Sequence, residues 1–173
     1  MNKETKEMLK ARAKEMAEEP ELKKSFSPIV QLIAFSLGAE TYGLESAYIR
    51  EVYPLKDFTP LPGVPAFILG IINVRGQIMP VVDLKKLFHL PEQGITELNK
   101  VIILHDDQME FGILADVVHG THVVEEDEII PAPHTLNGIG EENLKGITRK
   151  SLIVLNAKKL LTDKRMMVND EIS

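Results

Sequence analysis

From Ile29 onward, short apolar runs alternate with turn residues along the chain, which is the pattern of a protein built mainly from short β-strands. These runs are rich in Val and Ile, and no Val or Ile precedes Ile29. Two short helices are expected after Asp83 and Asn156, because these side chains can cap a helix N-terminus. The predicted strands cover residues 30–37, 42–44, 47–53, 71–74, 77–82, 100–105, 109–118, 120–124, 144–148 and 152–155.

Two tight turns are predicted within this pattern. Arg75 and Gly76 separate two apolar runs, and Gly76 can supply the positive φ that a hairpin turn usually needs. Residues 106–108 form a second turn, since Asp readily hydrogen-bonds to the nearby backbone there. Pro80 has no N–H to donate to a neighbouring strand, so its strand is predicted to lie at a sheet edge or to be bulged.

The pattern occurs twice in the body of the chain. The aromatic-Gly-aliphatic sequence at 42–44 recurs at 111–113, Gly70 precedes an apolar run as Gly146 does, and residues 81–87 resemble residues 154–160. Three landmarks in the same order indicate a duplicated unit, and chance similarity between β segments is the alternative. Each unit has enough strands for a small antiparallel barrel, closed or half-closed. The sequence therefore predicts two barrels packed together, with a groove between them that suits protein binding.

Composition divides the chain into three segments. Residues 1–28 are rich in Lys, Glu, Ala and Met, which predicts a helical or disordered extension, and a solvated extension without a partner is the simpler interpretation. Residues 29–162 form the body, and we expect the chain to cross between its two barrels near 85–100 and 155–162. Residues 163–173 form a polar tail.

Charge and composition exclude several classes of function. The chain has 173 residues, a net charge of −6, no Cys and no Trp. Without Cys there are no disulfides, thiolate metal sites or Cys nucleophiles. A negative net charge gives no general attraction to nucleic acid or anionic lipid, and no apolar run is long enough to span a membrane. We therefore expect a cytoplasmic protein that neither binds nucleic acid nor inserts into the membrane.

No catalytic or metal-binding constellation is visible in the sequence. The five His residues are scattered, and the spacing of His119 and His122 places them on opposite faces of a strand. Neither a nucleophile motif, nor a P-loop, nor a dinucleotide-binding motif is present. We predict no enzymatic activity, no cofactor and no metal.

Arg75 is the one charged residue that stands out, because it lies in a strongly apolar stretch. An Arg in such a position usually has a carboxylate partner or binds another protein. Glu51, in an earlier predicted strand, is the candidate carboxylate. The alternative is that Arg75 only solubilises the turn.

The sequence L-P-G-V-P-A-F-I-L-G-I-I-N-V-R-G-Q-I-M-P-V-V-D-L-K-K-L at residues 61–87 resembles the signature of the CheW family of bacterial chemotaxis coupling proteins. The segment N-V-R-G-x-I-x-P-V-V-D-L is its most specific part. Supporting similarity lies at residues 35–44, 49–52, 111–118 and 144–147, so the resemblance covers nearly the whole body.

The resemblance implies two five-stranded SH3-like antiparallel barrels packed around a hydrophobic core. It also implies a non-catalytic adaptor that links transmembrane chemoreceptors to a CheA-type histidine kinase. The family glutamate and arginine fall on Glu51 and Arg75. Receptor-contacting positions of the family fall on or near a set of residues in the expected groove, where glycines would let a receptor helix approach closely. These positions are Ile49, Gly70, Arg75, Gly76 and Gly146.

The partners implied by the resemblance are the cytoplasmic helices of chemoreceptors and the regulatory domain of the kinase. The protein is expected to be a monomer alone and to join rings or arrays when assembled, recruited from the cytoplasm to receptor arrays at the inner membrane. The alternative function is a small-molecule-binding or other scaffold module that uses the same groove.

Overall fold

The computed structural model describes residues 27–91, 94–131, 135–136 and 139–166. The predicted N-terminal extension therefore lies outside the described residues except for Ser27 and Pro28, and so does most of the predicted tail. The elements in chain order are β1 (Ile29–Leu37), β2 (Glu40–Glu45), β3 (Ile49–Pro54), β4 (Ile68–Val74), β5 (Gln77–Val82), α1 (Leu84–Leu87), β6 (Lys100–His105), β7 (Glu110–Ala115), β8 (Val117–Glu125), β9 (Thr135–Leu136), β10 (Ile139–Gly140), β11 (Leu144–Ile147), β12 (Ile153–Leu155) and α2 (Ala157–Leu161).

The strands form two five-stranded sheets, as the sequence predicts. In the first barrel the strand order is β3-β6-β7-β5-β4, and in the second barrel it is β11-β12-β2-β1-β8. Strands β9 and β10 pair separately. Neighbouring strands are antiparallel except for one parallel pair in each barrel, β5 with β7 and β12 with β2.

Each sheet closes on itself through a short bridge beyond an edge strand. After β3, Thr59 exchanges two backbone hydrogen bonds of 2.9 Å with Ile71 of β4, the opposite edge of the first sheet. After β8, Ile130 exchanges two hydrogen bonds of 2.9 Å with Ile147 of β11 in the same way. These bridges join the two edges of each sheet, which makes each sheet a small barrel.

Gly70 and Gly146 make these closures possible. A Cβ atom on Gly70 would lie 2.9 Å from the carbonyl carbon of Thr59, and a Cβ atom on Gly146 would lie 3.0 Å from that of Ile130. Both distances are too short for an ordinary contact. At these two positions the space that a side chain would need is occupied by the backbone of the same chain.

The two sequence repeats interlock to form the barrels. Val81 of β5 pairs with Gly112 of β7, and Val154 of β12 pairs with Gly43 of β2, so the repeated segments occupy equivalent places. The first barrel combines β3–β5 of the first repeat with β6 and β7 of the second. The second barrel combines β1 and β2 with β8, β11 and β12. Each repeat is therefore incomplete without the other.

Because the repeats interlock, the predicted crossing points are wrong. The chain leaves the second barrel in a 3₁₀ turn at Ser46–Tyr48 and returns to it at Asp116, between β7 and β8. Residues 85–100 connect two strands of the same barrel, and residues 155–162 lead from β12 into α2. One repeat in the sequence does not correspond to one barrel in space.

The described residues form three apolar cores, and strands that are buried on both faces contribute to two of them at once. In β6, Val101 and Ile103 fill the interior of the first barrel, whereas Ile102 and Leu104 pack into a larger core between the barrels. A smaller core fills the second barrel. Since the space between the barrels is packed, a partner can reach their junction only from its outer rim.

The predicted strand position of Pro80 and the two predicted helix caps have different outcomes. Strand β5 lies between β7 and β4, so the prediction of an edge strand at Pro80 is wrong. The predicted alternative, a bulge, lies next to Pro80, where the register of β4 with β5 shifts between Ile68 and Gly70, opposite Val82 and Val81. Pro80 faces Ile71, whose N–H and C=O are bonded to Thr59, and no hydrogen bond to β4 is lost there. The two predicted helix caps are confirmed, with Asp83 accepting from the N–H of Lys85 and Asn156 from that of Lys159, both at 3.0 Å.

Candidate functional site

The tip of the β4–β5 hairpin is a two-residue turn made by Arg75 and Gly76. Val74 pairs with Gln77, and the two turn residues have φ of 52° and 86°, as in a type I′ turn. The side-chain oxygen of Asn73 accepts a hydrogen bond from the N–H of Gly76 at 2.9 Å. Gly76 adopts positive φ freely, whereas the left-handed conformation strains Arg75 by about 1 kcal/mol.

The structure brings Arg75 and Glu51 together. Nη1 of Arg75 donates a hydrogen bond to Oε2 of Glu51, so the two side chains form an ion pair. Glu51 lies on β3 and Arg75 follows β4, and these strands are the two edges of the first sheet. The pair therefore connects the two edges of the sheet near the hairpin tip, in addition to the bridge between Thr59 and Ile71.

The ion pair orients Arg75 more than it stabilises the fold. The Arg75 side chain is 73% exposed and that of Glu51 is 24% exposed. Exposed pairs of this kind contribute about 0.2–1 kcal/mol. Most of the guanidinium surface remains accessible, so Arg75 can donate hydrogen bonds to a partner while Glu51 holds it in place.

An apolar surface adjoins Arg75 on the outer face of the hairpin. Met79 and Val81 point into the first barrel, which turns Ile78 outward, where its side chain is 59% exposed. Ile71 and Pro80 face each other across the same two strands and are half-buried. The alternation of residues 77–82 contains this information, but sequence reasoning did not single out Ile78. An apolar surface beside an accessible cation suits a protein partner.

The other predicted contact positions lie in different surroundings. Ile49 begins β3, pairs with Leu104 and packs partly against the core between the barrels. Gly70 and Gly146 are buried at the two barrel closures, one in each barrel. Their lack of a side chain is explained by packing within the chain. Contact of a receptor with Ile49, Gly70, Arg75, Gly76 or Gly146 stays a prediction.

The described residues show few features of a catalytic or metal-binding site. Among them, no three His, Cys, Asp or Glu side chains approach closely enough to hold a metal ion. Nε2 of His119 lies 2.6 Å from Oγ of Ser36, and His122 is exposed. Burial raises the pKa of Asp83, against the opposing effect of its hydrogen bond to the Lys85 backbone, but this carboxyl caps α1. In the part of the chain that the structure describes, no helix is long and apolar enough to cross a membrane.

Two interlocked β-barrels, with an exposed cation and an apolar strip at one hairpin, define a protein-binding module. Residues 31–165 match the CheW-like domain, so the chain belongs to this family, and the predicted family and fold class are confirmed. It is 34% identical over 143 residues to "Chemotaxis protein CheW" of Treponema pallidum, covering 79% of this chain and 84% of that protein. "Protein FrzA" of Myxococcus xanthus is 30% identical, covering 87% of this chain and 96% of that protein.

A solved structure supports the same assignment. The crystal structure of the scaffolding protein TtCheW from Thermoanaerobacter tengcongensis matches this fold with a TM-score of 0.71 and 31% sequence identity. The match covers 80% of this chain and 97% of that chain. Both barrels of the body are therefore part of the shared domain.

Proposed function

We propose that this chain is a non-catalytic chemotaxis adaptor that couples transmembrane chemoreceptors to a CheA-type histidine kinase and relays receptor state to kinase activity. Membership of the CheW-like family supports the proposal, as do the curated relatives named as chemotaxis proteins. The structural observation that carries it is Arg75, which is strained in its turn, tied to Glu51 and exposed to a partner.

The proposed receptor surface is centred on the β4–β5 hairpin and includes Ile49 of β3. A receptor helix would place a carboxylate against Arg75 and apolar side chains against Ile78, because both side chains are exposed on the same hairpin. Gly76 leaves the tip of the hairpin free of side-chain bulk. Gly70 and Gly146 would contribute indirectly, by holding the two barrels closed.

The relay in this proposal requires no chemical step. Receptor states must differ in how strongly they bind the adaptor, since a ligand shifts an equilibrium only by its differential affinity. The second partner is the regulatory domain of the kinase. Individual contacts can be weak, because many copies held in rings or arrays bind with avidity. In this proposal the isolated chain would be a monomer. The protein would act in the cytoplasm, recruited to receptor arrays at the inner membrane.

Charge reversal at Arg75 tests the proposal directly. The variant Arg75→Glu should lose binding to a receptor cytoplasmic fragment in a pull-down, because it places two carboxylates against each other and removes the exposed cation. Arg165→Glu is a matched control, since it makes the same charge reversal at a half-exposed arginine that is paired with Asp163 at 2.7 Å and lies outside β3 and the β4–β5 hairpin. Unchanged binding by Arg75→Glu, or equal loss in both variants, would count against the receptor surface proposed here.

The alternative of a small-molecule-binding module receives less support. One polar depression lies beside α2 and is lined by Glu142, Asn143, Lys159, Thr162, Asp163 and Arg165. It is open to solvent, whereas small-molecule sites are usually enclosed and mostly apolar. Arg165 beside Asp163 lowers the pKa of that carboxyl although burial, the largest single influence, works in the opposite direction. Arg165 and Asp163 thus pair with each other within the depression.

A further inference from the structure

A buried lysine lies where the two barrels meet. Lys85 belongs to α1, which directly follows β5, and its side chain is only 3% exposed. Nζ of Lys85 lies 2.8 Å from Oδ1 of Asp116. A buried ammonium is costly unless it is paired and hydrogen-bonded, so this ion pair has to be kept intact in the folded protein.

Asp116 connects both barrels through its own hydrogen bonds. It is the single residue between β7 of the first barrel and β8 of the second. Its Oδ2 accepts a hydrogen bond of 2.7 Å from the N–H of Gly38, in the β1–β2 turn of the second barrel. Its own N–H donates to the carbonyl of Ser36 at 3.0 Å. Lys85, Asp116 and Gly38 thus form a chain of contacts from one barrel to the other.

The repeat shows that the fold does not need this pair. Lys158 of α2 is equivalent to Lys85 in the second repeat, and it is exposed. Ala47, in the other crossing segment, corresponds to Asp116 and has no charge. The same helix and the same kind of crossing therefore form without a buried ion pair. Among the described residues, the ion pairs beside the Ser46–Tyr48 crossing are partly exposed, whereas the lysine paired with Asp116 is buried.

We propose that Lys85 and Asp116 are positioning residues that hold the two barrels in the orientation required for coupling receptor to kinase. The proposal rests on the proposed function. Lys85 is connected through α1 and β5 to the hairpin that carries Arg75, and Asp116 is connected to the β1–β2 turn. Their ion pair adds a polar link between the barrel that carries the receptor surface and the second barrel, in addition to the apolar core between them.

The test uses the full chain with both charges removed. In the double variant Lys85→Met, Asp116→Asn, the methionine can fill the space of the lysine stem, and the asparagine keeps an acceptor for the N–H of Gly38. Replacing both partners of a buried ion pair avoids leaving one charge unpaired, which would cost more than losing the pair. Lys85→Arg is a conservative variant that keeps the charge, and Lys158→Met is the matched control.

Two measurements separate positioning from simple stabilisation. Residual dipolar couplings in solution report the relative orientation of the two barrels without any partner. Binding assays with a receptor fragment and with the kinase regulatory domain, each alone, are then compared with receptor-controlled kinase activity in the three-protein mixture. We expect the double variant to change the barrel orientation and to keep each affinity within about two-fold, while receptor control of the kinase falls about ten-fold.

The outcomes are distinct. The proposal is overturned if the barrel orientation stays the same, if receptor control is unaffected, or if both affinities fall together with thermal stability, as a purely structural role would predict. Receptor control of the kinase that is retained in both Lys85→Arg and Lys158→Met completes the supporting result, and its loss in either variant overturns the proposal. If the unmodified chain binds neither partner, the proposed function fails, whereas the orientation measurement still decides whether the ion pair positions the barrels.

Discussion

Replacing Arg75 with asparagine should leave the protein at least as stable and abolish its coupling function. Arg75 occupies a left-handed position followed by Gly76, with φ of 52° and 86°. Asn-Gly is among the best sequences for such a turn, because asparagine tolerates positive φ better than arginine does. The arginine is therefore a poor choice for the turn itself, which is what we expect of a residue kept for binding.

The magnitude follows from two opposing effects. Relief of backbone strain stabilises the fold by about 1 kcal/mol. Loss of the exposed ion pair with Glu51 costs about 0.5 kcal/mol. The net gain is about 0.5 kcal/mol, and a gain of this size raises the melting temperature by about 1–2 °C for a chain of this length. A variant that is more stable and inactive would show a trade-off between stability and function.

The assay pairs Arg75→Asn with Arg75→Ala. Both variants lose the guanidinium, but alanine remains strained at positive φ, so only the asparagine variant gains stability. Thermal unfolding measures the stability, and a receptor-fragment pull-down measures the binding. Equal melting temperatures for the two variants would refute the argument from strain, and full receptor binding by Arg75→Asn would refute the argument for its function.

Three further predictions follow from other contacts. Gly70→Ala should destabilise the fold by about 1–3 kcal/mol in urea titrations, because its Cβ would press on the Thr59 carbonyl at the barrel closure; a loss below about 0.5 kcal/mol would contradict this. Burial raises the pKa of Asp83, so the folded state binds its proton more tightly and the fold loses stability as pH rises from about 4 through that raised pKa. Asp83→Asn, which keeps the helix cap, should therefore raise the melting temperature at pH 7 more than at pH 4, and an equal change at both would be evidence against this sign. In a double-mutant cycle with Glu51→Gln and Arg75→Gln, receptor affinity should be non-additive because Glu51 orients Arg75, and additive losses would show that the two act independently.

Local features of the fold and of the site could be predicted because they depend on neighbouring residues. A turn at Arg75 and Gly76 is required by the chemistry of two adjacent residues between apolar runs. A cap at Asp83 depends on a side chain that reaches an N–H two residues further on. Glu51 could be proposed as the partner of Arg75 because few charges lie in the apolar strands around it.

Arrangements between distant segments could not be predicted from the sequence. The pattern of residues 109–118 predicts one continuous strand, but the strand ends at Ala115 and Asp116 carries the chain into the other barrel. A single Asp within a strand pattern does not by itself mark such a crossing. The interior position of Pro80 is not predictable for a similar reason, since Ile71 opposite it needs no hydrogen bond from Pro80 only because its backbone is bonded to the distant Thr59.

The sequence by itself determined the strand content, the repeat, the capped helices and the family. The tertiary structure decided which strands share a barrel, where the chain crosses, and why Gly70 and Gly146 must be glycines. The physical reason is that propensity, turn chemistry and capping act over a few residues, whereas barrel closure depends on contacts between residues far apart in the chain. An apolar run such as residues 101–104 is compatible with several pairings, and only the joint packing of three cores selects one.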